Sequence, residues 1–488
     1  MRHSPTHFDL LIRGGTVIDG TKAPRFDADV GVTAGRIAAI GDLSACSADQ
    51  LLDASGRIVA PGFIDSHTHD DQAVLSQATM PFKVSQGVTT VIAGNCGISA
   101  APLRADMALP MPLSLIDSPA EGRFTSFAAY LDALRAAPSS VNVAAMVGHS
   151  TLRALTMADL DRPANEAEIA AMRAHVEEAM QAGAIGLSTG TFYPPAVKAS
   201  TEEIIEVCRP LSARKAIYAT HMRDEGDRVM EALEETFAIG RALDIPVVVS
   251  HHKVQNTQNF GRTQQTLPFI AQTMKHQCVS LDCYPYTAGS TMIRSDRGML
   301  EGRVLIASSL PHPECAGRDL ADIAEQWGVP KDEAARRLQP GSAIYFMMDE
   351  HDVQRVLAFD ETMIGSDGIP LGDKPHPRLW GTFPRVLGHY SRDVGLFPLE
   401  TAVWKMTGLT ARNFGLSERG SLQLGHHADL VVFDAATIRD TANYDTPTLP
   451  ADGIDAVIVN GSITWQHGVH SGARNGQVIT RQDAVAAA

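Results

Sequence analysis

Two histidines stand one residue apart in the segment GFIDSHTHDD, which runs from residue 62 to residue 71. Apolar residues lead into this segment from Ile58, so we predict that His67 and His69 follow a buried strand. Side chains two positions apart on a strand face the same side, and two neutral imidazoles placed in this way can chelate one metal ion. A pair of solvated histidines at a strand end gives the same pattern, so the rest of the chain has to decide.

Four more residues of metal-ligating type stand at the ends of other apolar runs: Cys96 in GNCG, His221 in ATHMRDE, His251 in VVVSHHK and Asp367 in IGSDG. Each is weak evidence alone, because a buried cysteine is usually a small hydrophobe and an aspartate before glycine usually shapes a turn. A histidine at a strand end is more often a hydrogen-bonded core residue than a ligand. The six residues indicate one metal site only if the fold brings these strand ends together.

The elements that would position them are eight apolar runs, at 58–65, 88–95, 141–148, 184–190, 216–221, 245–251, 279–284 and 361–367. Helical patterns such as 166–182 and 226–243 separate them. Fully apolar strands that alternate with helices predict a parallel sheet covered on both faces, and eight such units predict a (β/α)8 TIM-like barrel. Chemistry in such a barrel gathers at the C-terminal ends of the strands, so this fold favours the metal site.

Both ends of the chain show a different, β-rich pattern. Ala34-Gly35 and Asn460-Gly461 each separate two apolar runs, as hairpin turns do. We therefore predict a small β-sandwich domain built from residues 1–60 and 416–488, around a catalytic barrel at 61–415. The long separation of the last two barrel strands predicts an insertion at about 285–360, with helical pieces near 317–327 and 331–338, able to cover the mouth as a lid.

Composition narrows the class of partner. The chain has 488 residues, 44% of them hydrophobic, and a net charge of -15, which argues against nucleic acid or an anionic membrane as partner. We find no signal peptide and no run approaching the ~20 apolar residues of a spanning helix. Six cysteines in so long a chain do not form a disulfide framework, so we expect a cytoplasmic protein. With nucleic acid and membranes disfavoured, we expect its binding partner to be a small molecule. The sequence leaves the oligomeric state open.

These motifs carry a family resemblance that covers essentially the whole chain. GFIDSHTH after a β-rich start, the strand-end histidines, the last strand-end aspartate and ADLVVFD resemble the amidohydrolase superfamily. Many members bridge two metals with a carbamylated lysine from strand four, whereas GAIGLSTGTFYPP at 183–195 contains no lysine. Cys96 could supply the bridge instead. AGNCG, THMRDEGD, SHHK and IGSDG together look like the N-acyl-D-amino-acid deacylases, or D-aminoacylases.

The resemblance implies one tightly held Zn²⁺ and a second, weaker metal position. The ligands that it implies for the tight zinc are Cys96, His221 and His251, and those for the weaker position are His67, His69 and Asp367, with Cys96 shared. Asp367 would act as catalytic acid and base, although a purely metal-binding carboxylate is the alternative. His252 faces the opposite side of the strand from His251, so we interpret it as structural.

Several residues near the predicted mouth could hold a substrate. Lys253, Tyr193 and Tyr284 match pocket residues of the family, and Arg378 resembles its carboxylate anchor. The segment STMIRSDRG adds Arg294, our first choice for a side-chain contact, and Arg297 as the second choice. Surface charges are the alternative interpretation of these cations. Several cations at one mouth of an acidic protein favour a substrate with two negative charges.

The function that these residues favour is zinc-dependent hydrolysis of N-acyl-D-amino acids, with N-acyl-D-glutamate expected first and N-acyl-D-aspartate second. A cyclic-amide hydrolase of the same superfamily is an alternative, against which the missing strand-four lysine and the cysteine argue. A non-catalytic barrel scaffold is another alternative. Broken ligand positions would mark such a scaffold, and here every position is filled.

Overall fold

Eight parallel strands form a barrel, and each falls within one of the predicted apolar runs. The computed structural model describes residues 6–116, 122–372 and 374–481. Barrel strands 1 to 8, in chain order, are Phe63–Asp65, Val88–Ala93, Asn142–Gly148, Gly186–Gly190, Ile217–His221, Val247–Val249, Val279–Cys283 and Thr362–Ile364. They lie side by side in this order, so the predicted fold class is confirmed.

The barrel closes through the segments that follow strands 1 and 8. The amide of Asp367 donates to the carbonyl of His67 at 2.7 Å, and the amide of His69 donates to the carbonyl of Gly368 at 3.2 Å. Thr68 and Gly368 form a parallel bridge between the same two segments. The two segments that close the barrel therefore also carry three candidate ligands, His67, His69 and Asp367. The hydrogen bonds between the segments fix the relative positions of these ligands.

Helices follow most barrel strands and pack on the outside. The helices of seven or more residues are Phe127–Ala136, His149–Thr156, Glu166–Ala182, Thr201–Ser212, Val229–Leu243, Thr263–Met274, Leu320–Trp327, Lys331–Leu338, Glu350–Ala358, Arg378–Arg385, Leu399–Met406 and Gly408–Phe414, with a π-helix at Val386–Asp393. Glu166–Ala182 has the predicted bounds because Asn165 and Glu168 form a capping box at its start and Gly183 ends it with φ 117°.

The strands of both chain ends join in one nine-stranded sheet beside the barrel. Its members are His7–Val17, Phe26–Thr33, Arg36–Gly41, Ser47–Asp53, Ile58–Pro61, Leu430–Phe433, Ile454–Val459, Ser462–Gln466 and Val469–His470. Ala34, Gly35, Asn460 and Gly461 all have positive φ, as two-residue hairpin turns of type I′ require. We propose domain bounds of 1–60, 61–415 and 416–488, close to where the chain passes between this sheet and the barrel, after Ile58–Pro61 and before Leu430–Phe433.

Two strands differ from the sequence-based prediction. The run 58–65 is not one strand, because Ile58–Pro61 pairs within the terminal sheet and only Phe63–Asp65 belongs to the barrel. Gly62 marks the change, and a Cβ there would collide with the side chain of Thr89. Near the other end, Val478–Ile479 leaves the terminal sheet and pairs with barrel strand 3.

The segment between barrel strands 7 and 8 forms a small unit of its own. Three strands, Ala288–Met292, Arg303–Ser309 and Gly341–Phe346, make an antiparallel sheet that the sequence did not predict. The predicted helical pieces occur as Leu320–Trp327 and Lys331–Leu338. Across the described residues, no helix is long and apolar enough to cross a membrane.

Candidate metal centre

The strand ends bring all six predicted ligand residues together. Two groups of donor atoms each lie within 4.8 Å of one another: the first contains Cys96, His221 and His251, and the second contains His67, His69, Cys96 and Asp367. Every one of these residues is buried. The sulfur of Cys96 belongs to both groups, so it occupies the bridging position between two adjacent centres.

The distances around the shared sulfur are short and even. Sγ of Cys96 lies 3.3 Å from Nε2 of His67, 3.3 Å from Nε2 of His251 and 3.8 Å from Nδ1 of His221. On the other side, Oδ1 of Asp367 lies 3.1 Å from Nε2 of His69 and 3.6 Å from Nε2 of His67. The donor atoms form two neighbouring groups that share one sulfur, the arrangement that a centre for two ions needs.

Three of the donors sit on an uncommon backbone conformation. Cys96, His251 and Asp367 have φ values of 53°, 35° and 49°, in the left-handed region that side chains other than glycine rarely adopt. Such residues cost of order 1–3 kcal/mol each and persist only where surrounding contacts hold them. At each of them the strand has just ended and the chain turns sharply, which returns the donor atom to the mouth of the barrel.

Charge at the centre suits cation binding. Burial opposes ionisation of Cys96, but the neighbouring His67 and His251 outweigh it, and the pKa of the thiol lies well below its usual value. Burial also opposes charge on Asp367, yet Arg378 and His251 hold the pKa of this carboxyl well below its usual value. Burial lowers the pKa of His221 well below its ordinary value, which favours the neutral imidazole that a metal needs. At His67, His69 and His251 burial acts in the same direction, but neighbouring carboxylates and Cys96 outweigh it and raise the pKa, so metal binding there would release protons.

The donor set fits zinc. Zinc favours thiolate and imidazole, and one cysteine with two histidines leaves a fourth position for water. The second group, with two imidazoles, a carboxylate and the shared sulfur, suits a second divalent ion. The cysteine, histidine and aspartate residues at the strand ends thus form one centre with two halves that differ in their donor atoms.

Charged residues that the sequence analysis missed support the ligands from behind. Lys83 is buried between Asp65 and Asp70, at 2.7 and 3.2 Å, and donates to the hydroxyl of Ser366 at 2.9 Å. Asp65 also accepts the amide of Ser366 at 2.7 Å, so this cluster ties the end of strand 1 to the residue before Asp367. Nothing in the sequence around Lys83, which lies in the short helix Pro81–Val84, indicated that it would be buried between two aspartates.

Two further carboxylates approach the histidine rings and also escaped prediction. Asp282, at the end of strand 7, lies 3.4 Å from Nδ1 of His67 and accepts the amide of His251 at 2.8 Å. Glu225 lies beside His221 and His251. Its position four residues after His221 is the signal that could have drawn attention to it.

Arg378 connects the centre to the open side of the mouth. It is completely buried, and Nη2 lies 2.9 Å from Oδ2 of Asp367 and donates to the carbonyl of Ser290 at 3.1 Å. Its Nε and Nη1 have no hydrogen-bond partner among the described residues. The guanidinium lies over the ring of Tyr284, 4.5 Å from its centroid. A buried cation with unused donors is suited to hold an anion.

The other predicted pocket residues lie around the same mouth. Nζ of Lys253 is 5.6 Å from the ring centroid of Tyr284, so two cations border one aromatic ring. Tyr193 packs its ring against His221 at 4.8 Å between centroids and accepts a hydrogen bond from Thr291 at 3.1 Å. Burial raises the pKa of both tyrosines well above the usual value, so both hydroxyls stay protonated.

Arg294 contacts the metal centre indirectly, because its guanidinium packs on Phe192, which packs on His221. Its guanidinium lies 4.8 Å from the ring centroid of Phe192, and Phe192 stacks on His221 at 5.1 Å. Asp296 pairs with Nε of Arg294 at 2.7 Å, whereas Nη1 is buried and lacks a hydrogen-bond partner within the described part of the chain. The side chain of Arg297 lies outside the described set.

Known proteins resemble this chain over nearly its whole length. The sequence pattern of the amidohydrolase family matches residues 50–277 and 331–465. D-aminoacylase of Alcaligenes xylosoxydans xylosoxydans is 62% identical over 474 residues, which cover 97% of this chain and 98% of that protein.

Two solved structures extend the likeness to three dimensions. One is a structure of D-aminoacylase, which is 60% identical to this chain with a TM-score of 0.95. That enzyme has a binuclear metal centre, in which one metal activates and the second attenuates. N-acyl-D-glutamate deacylase of Bordetella bronchiseptica, complexed with zinc and a phosphonate mimic of the tetrahedral intermediate, is 46% identical with a TM-score of 0.93. Each match covers 97% of this chain and 100% of the other. The chain therefore belongs to the amidohydrolase family, in its branch of N-acyl-D-amino-acid deacylases.

Proposed function

We propose that this protein hydrolyses the amide bond of N-acyl-D-amino acids, with zinc held by Cys96, His221 and His251, and releases a carboxylate and the free D-amino acid. The observation that carries the proposal is the buried group of one thiol and two imidazoles that shares its sulfur with a second group of donors. The relatives, a D-aminoacylase and an N-acyl-D-glutamate deacylase, support the same reaction class.

The reaction needs a proton carrier as well as a metal. When bound, zinc supplies a Lewis acid that lowers the pKa of a water to about 7 and polarises the acyl carbonyl. Asp367 takes the proton of the attacking water and passes it to the leaving nitrogen, because an amide leaves poorly without protonation. The contact with Arg378 keeps this carboxylate charged and oriented until it takes the proton.

The substrate carboxylate has a matching cation in the mouth. We assign the α-carboxylate to Arg378, whose Nε and Nη1 lack partners among the described residues. Tyr284 and Lys253 complete this side of the pocket, since both cations lie against the same ring. Tyr193 packs edge-on against His221, so we place it beside the zinc site as a further pocket residue.

The side chain of the preferred substrate is acidic in this proposal, with D-glutamate first and D-aspartate second. Arg294 supports it, because one buried donor of its guanidinium is free within the described residues and its ring partner Phe192 stacks on a candidate ligand. Arginine suits a carboxylate because its planar fork can bind both oxygens. An apolar side chain would leave this donor without a partner.

A substrate panel tests the reaction class. We expect the zinc-loaded protein to hydrolyse N-acetyl-D-glutamate, to lose activity with a chelator and to regain it with zinc. The L-enantiomer controls for stereochemistry, and hydantoins test the cyclic-amide alternative. Preferential turnover of hydantoins would replace the proposal with that alternative. A zinc-loaded protein that hydrolyses neither class would support the non-catalytic scaffold.

Substitution of Arg294 tests the acidic pocket. We expect the parent to prefer N-acetyl-D-glutamate over N-acetyl-D-leucine in kcat/KM. Arg294→Ala should lower kcat/KM for the glutamate substrate by about 10-fold or more, because truncation of one partner of a charge pair leaves the other unpaired. The value for the leucine substrate should change little.

Arg303→Ala is a matched control for this variant. Arg303 also lies over a phenylalanine, at 4.7 Å from the ring centroid of Phe346, and also pairs with an aspartate, Asp319 at 3.2 Å. Its replacement should leave the glutamate-to-leucine ratio unchanged. A parent that prefers leucine contradicts the acidic pocket. A glutamate preference that survives Arg294→Ala moves the assignment to Arg297.

We place the enzyme in the cytoplasm as part of the same proposal. All six cysteines are free thiols, as a reducing compartment maintains them. The acidic net charge of -15 supports a small molecule, and neither nucleic acid nor an anionic membrane, as the binding partner.

A further inference from the structure

We propose that Glu225 is a positioning residue that holds both imidazoles of the three-residue zinc site in the ligating tautomer and so sets the affinity for zinc. This inference rests on the proposed zinc site. Glu225 is 2% exposed and lies in the loop after barrel strand 5, where its carboxylate approaches the rings of both His221 and His251.

The two carboxylate oxygens of Glu225 serve the two rings separately. Oε1 lies 3.1 Å from Nδ1 of His251, and Oε2 lies 3.5 Å from Nε2 of His221. The opposite nitrogens, Nε2 of His251 and Nδ1 of His221, are the ones that face the sulfur of Cys96. One carboxylate thus stands behind both rings while the metal-facing nitrogens converge in front.

This arrangement determines where the ring protons must be. A neutral imidazole carries one proton, so a nitrogen that binds a metal requires the proton on the other nitrogen. That other nitrogen is buried in both rings. Nε2 of His221 has no hydrogen bond within the described residues, whereas Nζ of Lys253 lies 2.7 Å from Nδ1 of His251, so this ammonium and a proton on Nδ1 compete for Oε1 of Glu225. The carboxylate of Glu225 can accept a hydrogen bond from each of these N–H groups, one at each oxygen, which orients the rings and raises their basicity as ligands.

Lys253 and Gln255 hold the carboxylate in place. Nζ of Lys253 donates to Oε1 of Glu225 at 2.8 Å, and the side-chain amide of Gln255 donates to Oε2 at 2.5 Å. Each oxygen therefore has one fixed donor besides the imidazole that it faces. The contact also fixes Lys253, a candidate pocket residue, so one carboxylate links the metal ligands to the substrate side of the mouth.

Glu225→Gln is the direct test, with zinc affinity as the readout. A glutamine has one acceptor oxygen instead of two, so it can accept a hydrogen bond from only one of the two rings. We expect the dissociation constant for zinc, measured on the metal-free protein by competition with a chelator, to rise by about 10- to 100-fold. The side chain of Glu225→Asp is shorter, so its carboxylate reaches the rings less well. We expect its dissociation constant for zinc to lie between those of the parent and Glu225→Gln.

Glu203→Gln is the matched control. Glu203 is equally buried, lies 3.2 Å from a histidine ring, that of His149, and pairs with Arg153, but neither neighbour is a candidate metal ligand. We expect Glu203→Gln to lower Tm while the dissociation constant for zinc stays that of the parent. An equal loss of zinc in both variants would show that general destabilisation, not ring positioning, is responsible.

A double variant separates ring positioning from the charge of Lys253. Glu225→Gln leaves a buried ammonium near the metal, and its repulsion alone could weaken zinc binding. Glu225→Gln combined with Lys253→Met removes both charges and provides a folded variant if the single change does not fold. We expect the double variant to bind zinc about 10-fold or more weakly than Lys253→Met alone.

The possible results are distinct. Zinc affinity of the double variant equal to that of Lys253→Met would overturn the proposal, as would parent-like affinity of Glu225→Gln. In the cobalt-substituted proteins, the thiolate-to-cobalt absorption band should shift in Glu225→Gln and not in Glu203→Gln. A parent protein that binds no zinc would instead contradict the proposed zinc site itself.

Discussion

Replacement of Cys96 with alanine is expected to remove the tightly held zinc and to abolish turnover. The sulfur is the one donor common to both groups, so its loss leaves two imidazoles in one half of the centre and no bridge to the other. Loss of a residue behind a ligand typically weakens metal binding by 10- to 100-fold, so loss of a direct ligand should weaken it by more than ~100-fold. His221→Ala should have the same effect. Metal content after gel filtration and kcat with N-acetyl-D-glutamate are the measurements.

Cys208→Ala is the matched control for a lost buried thiol. Cys208 is also completely buried, but it lies in the helix Thr201–Ser212 among apolar residues, and burial raises the pKa of its thiol. This variant should keep its zinc and its activity. If Cys96→Ala or His221→Ala retains full zinc and nearly normal kcat, the assignment of the ligands is wrong.

The barrel could be predicted because its signals are local. Each strand is a short run of apolar residues, and a strand buried on both faces needs no partner to be recognised in the sequence. The convergence of the strand ends then follows from the fold, which is why residues as distant as His67 and Asp367 could be assigned to one centre. The residue type at each strand end was enough to predict a shared centre, because the barrel brings those strand ends together.

The features that escaped prediction depend on contacts between distant segments. Glu225 and Lys83 look like ordinary surface charges in the sequence, and only the folded chain shows them buried against histidine and aspartate. The insertion strand Ala288–Met292 contains glycine, serine and threonine, so its pattern resembles a loop. Gly62 divides the first run because close packing against Thr89, which is remote in sequence, excludes any larger residue.

Arg378 makes a contact that its predicted role does not include. The family resemblance implied an anchor for the substrate carboxylate, and the structure in addition pairs Arg378 with Asp367 at 2.9 Å. A substrate carboxylate bound at Arg378 would therefore lie next to the group that moves the proton. Under the proposed mechanism, one guanidinium would couple substrate binding to proton transfer, because the position of the substrate would set the distance between Asp367 and the leaving nitrogen.

Asp367→Asn is expected to keep the fold and most of the zinc at Cys96, His221 and His251 but to lose activity by ~10²–10⁴-fold, the range of general acid–base catalysis. Asparagine has nearly the same size and cannot accept the proton in the same way. Asp429→Asn is a matched control, because Asp429 is a buried aspartate paired with an arginine, Arg419, outside the barrel mouth. The control should leave kcat unchanged. Activity of Asp367→Asn within a few-fold of the parent would exclude the proton-transfer role.

An ester analogue of the substrate distinguishes the two steps that Asp367 would perform. With oxygen in place of the leaving nitrogen, the leaving group departs as an alkoxide and depends far less on protonation than an amine does. If Asp367 protonates the leaving nitrogen, the loss caused by Asp367→Asn should be smaller for the ester than for the amide. An equal loss for both substrates would limit the carboxylate to activation of water or to holding the second metal. The same comparison for Asp429→Asn should show no loss with either substrate, since that carboxylate pairs with Arg419 and contacts no candidate metal ligand in the described structure.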